Sequence, residues 1–375
     1  GTGTEQFQVA VAGDFPCFVA PADTESFLFD CGSADLEISK DADGFTIDIN
    51  ELQLKNPGLI LSGKIAKLTD STAAENPEPV WLVDLTGKEL DLTAIRKGVL
   101  TLWGDNHVAR TVCDIVLGGK ASQATYFFKA PLTGFKSIEQ MKIRVDVDEA
   151  AIHPPHTPLF LEKAHGTIEI VDGYLSGQEL TARLGNSKGK NCTLFLDLAH
   201  RGNEFRLDLD IDADLTALPT VLNDLVPHKG FRRELQRFSD VQGRAAGHLR
   251  IGDTLEALQV NVNISSINGG AKYDPLPHPF RIRSGSLAIS PDSVKWQGIK
   301  GIVGSHMIRE ITGEVSWAKG VSLAIKSAQA TFDSAALLTE LSTASVLPGE
   351  IAKAITKAEG IIELNKATMS GLINK

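Results

Sequence analysis

The strongest chemical pattern is Leu207-Asp208-Leu209-Asp210-Ile211-Asp212-Ala213-Asp214, in which carboxylates stand at every second position. Calcium gathers about 6–8 oxygen ligands, so the run raises a metal hypothesis. Its spacing argues the other way. Period two places Asp208, Asp210, Asp212 and Asp214 on one strand face, about 6–7 Å apart, whereas calcium ligands converge from a curled loop. Shifted by 119 residues, the corresponding positions are Ser327, Gln329, Thr331 and Asp333, which are polar without forming a carboxylate ladder. The aspartates are expected to be the wet face of a strand, and Leu207, Leu209 and Ile211 its dry face.

Other chemistry-bearing residues are weaker signals. His153-Pro154-Pro155-His156 could set two imidazoles on one side of a polyproline turn, with His165 nearby, and histidines hold zinc. The related stretch Pro275-Leu276-Pro277-His278-Pro279 keeps the prolines and lacks that pair, so strand-entry geometry is the better reading. Gly185 to Lys190 resembles a phosphate loop but has three residues between its glycines, and Asn191 replaces Ser or Thr. It reads as a turn. Lys229, Arg232, Arg233, Arg237 and Arg244 form a local basic cluster, suited either to anionic headgroups or, beside Glu234 and Asp240, to a solvated helix face. Neither a nucleophile elbow nor a zinc-protease helix motif is present, and the visible acids lie on strand faces rather than as a paired constellation. No enzymatic activity, metal or cofactor is expected.

The chain has 375 residues and a net charge of −10, without the basic footprint that a nucleic-acid partner requires. No apolar run reaches the roughly 18 residues of a membrane-spanning helix. The opening Gly1-Thr2-Gly3-Thr4 reads as a cut end, so any signal or anchor is expected upstream. Of the four cysteines, Cys17 and Cys31 flank an expected turn near Asp23. They read either as a disulfide of an oxidising compartment or, preferably, as two small buried hydrophobes.

The elements that must position these residues are mostly strands. Phe7, Val9 and Val11 alternate, as do Phe45, Ile47 and Ile49, and residues 80–147 read as strands throughout, including Asp91 to Arg96 and Val99 to Trp103. Met141, Ile143, Val145 and Val147 face one way; Lys142, Arg144, Asp146 and Asp148 face the other. Residues 69–79 form a polar loop without periodicity. Helical spacing appears at Leu215, Leu218, Leu222 and Leu225, at Phe231, Leu235 and Phe238, at Ala335 to Leu341 and at Ile351 to Ile355.

An offset of 119 residues aligns Gly166-Thr-Ile-Glu-Ile with Gly285-Ser-Leu-Ala-Ile, Gly185 with Gly304, and Asp214-Leu-Thr-Ala with Asp333-Ser-Ala-Ala. Asp91-Leu-Thr-Ala is a further upstream copy. Each aspartate suits an N-cap. The expected fold is mainly β, an elongated, curled antiparallel sheet built from repeats of about 120 residues with short helices between them. The divisions are an N-terminal β segment over 1–90, a β repeat over 91–213, a helical linker with a β repeat over 214–332, and a helical linker with a final strand over 333–375.

Trp81-Leu-Val-Asp, Leu90-Asp-Leu-Thr-Ala-Ile-Arg, the run from Pro158 to Gly173, Ala213-Asp-Leu-Thr-Ala-Leu-Pro and Val241-Gln-Gly-Arg-Ala-Ala-Gly-His-Leu together resemble the AsmA-like proteins of Gram-negative envelopes. The similarity runs from about residue 80 to the end. It implies a periplasmic protein anchored in the inner membrane, with phospholipid as cargo and other envelope proteins as partners. It further implies that acyl chains move along a hydrophobic groove, and it brings no catalytic residues. Alternation assigns the groove lining to Ile143, Val145, Val147, Ile168, Ile170, Leu207, Leu209, Ile211, Val260, Val262, Ile264, Leu287 and Ile289. The same positions read equally as the filled core of a structural scaffold.

Overall fold

A computed structural model describes residues 6–21, 26–41, 44–68, 78–154, 157, 159–225, 229–318, 320–343 and 357–372. Most of the polar loop at 69–79, the turn near Asp23, His156 and the stretch at 351–355 lie outside the described residues. The protein is mainly β, an open antiparallel sheet with five short helices among the described residues. The chain divides into two compact units. The first comprises residues 1–185, 189–207 and 252–258; the second comprises 186–188, 208–251 and 259–375.

The first unit opens with β1 (Phe7–Asp14), β2 (Phe18–Pro21), β3 (Ser26–Lys40), β4 (Gly44–Asn56), β5 (Leu59–Leu68) and β6 (Val80–Asp91). Helices α1 (Leu92–Trp103) and α2 (His107–Ile115) follow, then β7 (Val116–Pro131), β8 (Met141–Ile152), β9 (Leu161–Val171), β10 (Tyr174–Leu184) and β11 (Ser187–Asp197). β1 and β2 both pair with β3, and from β3 to β10 each strand pairs antiparallel with the next. β8 ends at Ile152, before the prolines. β9 turns into β10 through Asp172 (φ 51°) and Gly173 (φ 79°), the left-handed pair of a tight hairpin.

The expectation of strand at Asp91 to Arg96 and Val99 to Trp103 is corrected: these residues form α1. Asp91 decides it, accepting hydrogen bonds from the Thr93 (2.9 Å) and Ala94 (3.1 Å) amides as the N-cap. Leu92, Ile95, Val99 and Leu102 then fall on one helical stripe. α1 packs on β7, and Gly98 leaves room for the Phe27 ring, which a Cβ there would meet at 2.9 Å. Phe27, Leu90, Cys113, Ala121 and Ala150 are buried around it. Burial pushes the Cys113 thiol up. Cys17 is a free, exposed thiol rather than the small buried hydrophobe expected.

β12 (Glu204–Asp214) leads through a turn to α3 (Leu218–Leu225) and α4 (Lys229–Leu235), then to β13 (Phe238–Thr254) and β14 (Ala257–Tyr273). Asp214 caps that turn rather than the helix itself, accepting from the Thr216 amide at 3.0 Å. The second unit continues with β15 (Phe280–Ser290), β16 (Ser293–Val303), β17 (His306–Ser316), β18 (Ser322–Asp333), α5 (Ser334–Thr343) and β19 (Ile361–Leu372). From β14 to β19 successive strands pair antiparallel. β9, β10 and β11 coincide with β15, β16 and β17 at an offset of 119 residues, and β12 ends 119 residues before β18. Asp333 accepts from the Ala336 amide at 2.9 Å.

Candidate functional site

Pairing register lets each dry face be followed across the sheet. In the first unit one row runs Val11–Leu36–Ile49–Gly63–Leu85–Tyr126–Ile143–Ile170–Leu175 from β1 to β10, each directly opposite the next. A parallel row runs Val9–Ile38–Ile47–Ile65–Val83–Phe128–Met141. Val145 stands opposite Ile168, and Val147 opposite Gly166. Ile143, Val145, Val147, Ile168 and Ile170, expected from alternation to line a groove, therefore share one apolar face. Leu207 is half-buried at the start of β12.

The other face of this unit is charged and hydroxylic. Glu37, Asp48, Lys64 and Asp84 stand in one cross-strand row, and Ser62, Thr86, Thr125, Arg144 and Glu169 in another. Arg144 reaches Glu169 at 2.5 Å. An apolar row backed by a polar row is what period-two alternation dictates when one face is kept from water.

Burial along the dry face is uneven. Phe128 is 0% exposed, with Phe135 packed edge-on against it at 5.3 Å, and Ile170 is 5% exposed. Ile38, Ile47, Ile65, Val83, Leu85 and Ile143 are only half-buried, and Val9 is 48% exposed. Tyr126 lies within the row with its hydroxyl buried and, among the described residues, without a hydrogen-bond partner; burial pushes its ionisation up to about 12.

The second unit repeats the arrangement. One row is Val262–Ile289–Val294–Val315–Leu323, and its neighbour is Ile264–Leu287–Trp296–Gly313–Ile325–Met369. Ile211, Val260, Val262, Ile264, Leu287 and Ile289 belong to one cluster with Leu215, Ala245, Ile267 and Ile299. Leu218, from α3, packs on the same cluster, so this part of the face is closed. Leu209 is half-buried on β12. Toward β19 the face opens, with Met369 53% exposed.

The aspartate run is the wet face of β12. Asp208 pairs with Arg250 (2.8 Å), Asp210 with His248 (3.0 Å) and Asp212 with Arg244 (2.7 Å), and His248 also reaches Asp208. Each of these partners lies on β13. Asn186 and the Thr216 amide hold the Asp214 carboxyl below the usual range, the amide contributing most. His165 is bound to Asp148 at 2.9 Å, and His153 stacks on Phe160 at 4.7 Å. Gly185 and Asn186 form the β10–β11 turn, and Ser187 to Lys190 belong to β11. In the basic cluster Arg237 pairs with Glu234 at 3.0 Å, and Arg244 with Asp212. Among the described residues, no group of three or more His, Cys, Asp or Glu is placed to hold a metal ion, and no helix is long and apolar enough to cross a membrane.

Sequence reasoning missed much of the face: Leu36, Ile65, Val83, Leu85 and Tyr126 in the first unit, and Val294, Trp296, Val315 and Ile325 in the second. A signal was available, since Val83 and Leu85 flank Asp84 and Val294 and Trp296 flank Lys295. No family model, no curated protein and no solved structure matches the chain.

Proposed function

We propose that the chain binds phospholipid in the periplasm and shields its acyl chains along the apolar faces of its sheet, as a non-enzymatic component of lipid movement between the two membranes. The observation that carries this reading is the unbroken apolar row from Val11 to Leu175, whose members on β3, β6, β7 and β8 are only half-buried. Shielding a methylene from water is worth about 0.8 kcal/mol, so a row spanning many strands lowers the cost of holding an acyl chain outside a bilayer substantially. The stretches resembling AsmA-like proteins contain Val83, Ile168 and Ile170, which supports the same assignment.

A scaffold that binds envelope proteins is the second reading. The closed cluster around Leu215, Val262 and Ile264 favours it, because a filled core leaves no room for an acyl chain. Leu85→Asp and Thr86→Asp separate the two. Leu85 lies on the dry face and Thr86 on the wet face of the same strand. Displacement of a fluorescent fatty acid by phospholipid should be lost in Leu85→Asp and retained in Thr86→Asp, with both variants keeping their β-sheet circular dichroism. Equal lipid binding by both would sink the shielding role.

A further inference from the structure

β14 and β15 pair in one register on either side of a gap. Val262, Asn263 and Ile264 stand opposite Ile289, Ala288 and Leu287, and Gly269, Gly270 and Ala271 opposite Ile282, Arg281 and Phe280. Residues 265–268 and 283–286 have no partners across this ladder. The strands part and then close again without slipping. On the far side of β15, Gly285 (φ 144°) runs so close to β16 that a Cβ would meet the Ile299 side chain at 2.5 Å, and the β15–β16 register shifts on both sides of Ser284. A cleft of about 590 Å³ occupies the parting.

The same offset of 119 residues places Gly166 of β9 at Gly285, yet there the strand stays paired with its predecessor as far as the glycine: Val147 faces Gly166, Asp148 binds His165 and Asp146 binds Thr167, and the register shifts only beyond Val147. In β14 the neighbouring positions are Ser265, Ser266 and Asn268, without carboxylates, and Arg283 stands where the offset places Ala164. Asp212 is the acid lining the cleft, and Arg244 holds it at 2.7 Å. Arg283 is exposed and, among the described residues, has no hydrogen-bond or ion-pair partner; the same holds for Lys300, which faces Ser284. The Ser265 hydroxyl donates to the Ala246 carbonyl and fixes one wall. Ser284 and Asn268 are exposed and leave neutral donors beside an uncompensated guanidinium.

We propose that the parting between β14 and β15 is a binding site for a phosphoryl group, with Arg283 as its charged contact and Ser284 and Asn268 as neutral donors. A guanidinium with hydroxyl and amide donors matches a tetrahedral oxyanion better than it matches an apolar or cationic ligand. The site lies on the face opposite Leu287 and Ile289, so it stands independently of acyl-chain shielding.

The test titrates the whole chain, followed by NMR shifts, with inorganic phosphate and separately with dihexanoyl phosphatidylglycerol, a soluble phosphodiester lipid. Saturable shifts are expected at Ser284 and Asn268, weakened at least about tenfold in Arg283→Ala and unchanged in Arg237→Ala. Binding of both probes would make the phosphoryl group sufficient; binding of the lipid alone, still dependent on Arg283, would make the site one for a phosphodiester headgroup. Saturation by neither probe, or affinity unchanged in Arg283→Ala, would overturn the assignment. Because Arg283 is an exposed side chain, its removal leaves the fold intact, and Leu85→Asp serves as the control for binding through acyl chains.

Discussion

Tyr126 carries a hydroxyl into an apolar row and, among the described residues, gives it no partner. A buried donor without an acceptor costs about 1–3 kcal/mol, so Tyr126→Phe should be as stable as the parent or more stable in urea unfolding at neutral pH. The sign at high pH follows from its ionisation, pushed up from 10.0 to about 12 by burial. The folded state resists losing the proton, so this contribution is complete below pH 10 and disappears as pH rises toward 12. Alkaline unfolding should therefore be shallower in the phenylalanine variant. Asp214 has the opposite sign. Its carboxyl is held below the ordinary 3.8, so its contribution is present above that value and fades as pH falls through the lowered one. Asp214→Asn should flatten the acid limb of a pH–stability curve. The wet-face character of Asp208, Asp210 and Asp212 was legible from period two alone. Their partners were not, because Arg250, His248 and Arg244 meet them through a strand pairing whose register no local pattern specifies.

At the scale of elements, α1 is the instructive case. Val99-Leu-Thr-Leu-Trp has strand-like composition, but Asp91 removes the cost of two free amides at the helix start, and the stripe of Leu92, Ile95, Val99 and Leu102 then has somewhere to pack. Asp91→Ala should cost about 1 kcal/mol in chemical denaturation. α5 is held differently. His306, only 4% exposed, accepts the Asp333 amide at Nδ1 (3.3 Å), so its Nε2 carries the proton donated to Glu340 of α5 at 3.1 Å; His278 reaches the same carboxylate at 2.9 Å. His306→Ala should destabilise by about 1–3 kcal/mol, and hydrogen exchange should localise the loss to α5. Local spacing revealed α5 itself, whereas the histidine pair that fastens it comes from two other elements. By contrast, the exposed Asp212–Arg244 pair should show a coupling of no more than about 1 kcal/mol in a double-mutant cycle.

For the molecule as a whole, alternation was enough to recover a mainly β fold and the dry faces of β8, β9, β14 and β15. It could not reveal that Leu36, Ile49, Leu85, Tyr126, Ile143 and Ile170 form one row, since that depends on the register of seven strands spread over more than a hundred residues. Nor could it distinguish the half-buried reaches of the first unit from the closed cluster under α3 in the second. That difference decides whether an apolar face is core or binding surface, and it is where shielding of acyl chains stands or falls. The most direct measurement is a lipid extract of the purified chain, analysed by mass spectrometry beside the Leu85→Asp variant. Phospholipid present with the parent chain and depleted from the variant is the predicted result; a parent chain that carries no phospholipid and takes none up from vesicles would contradict it.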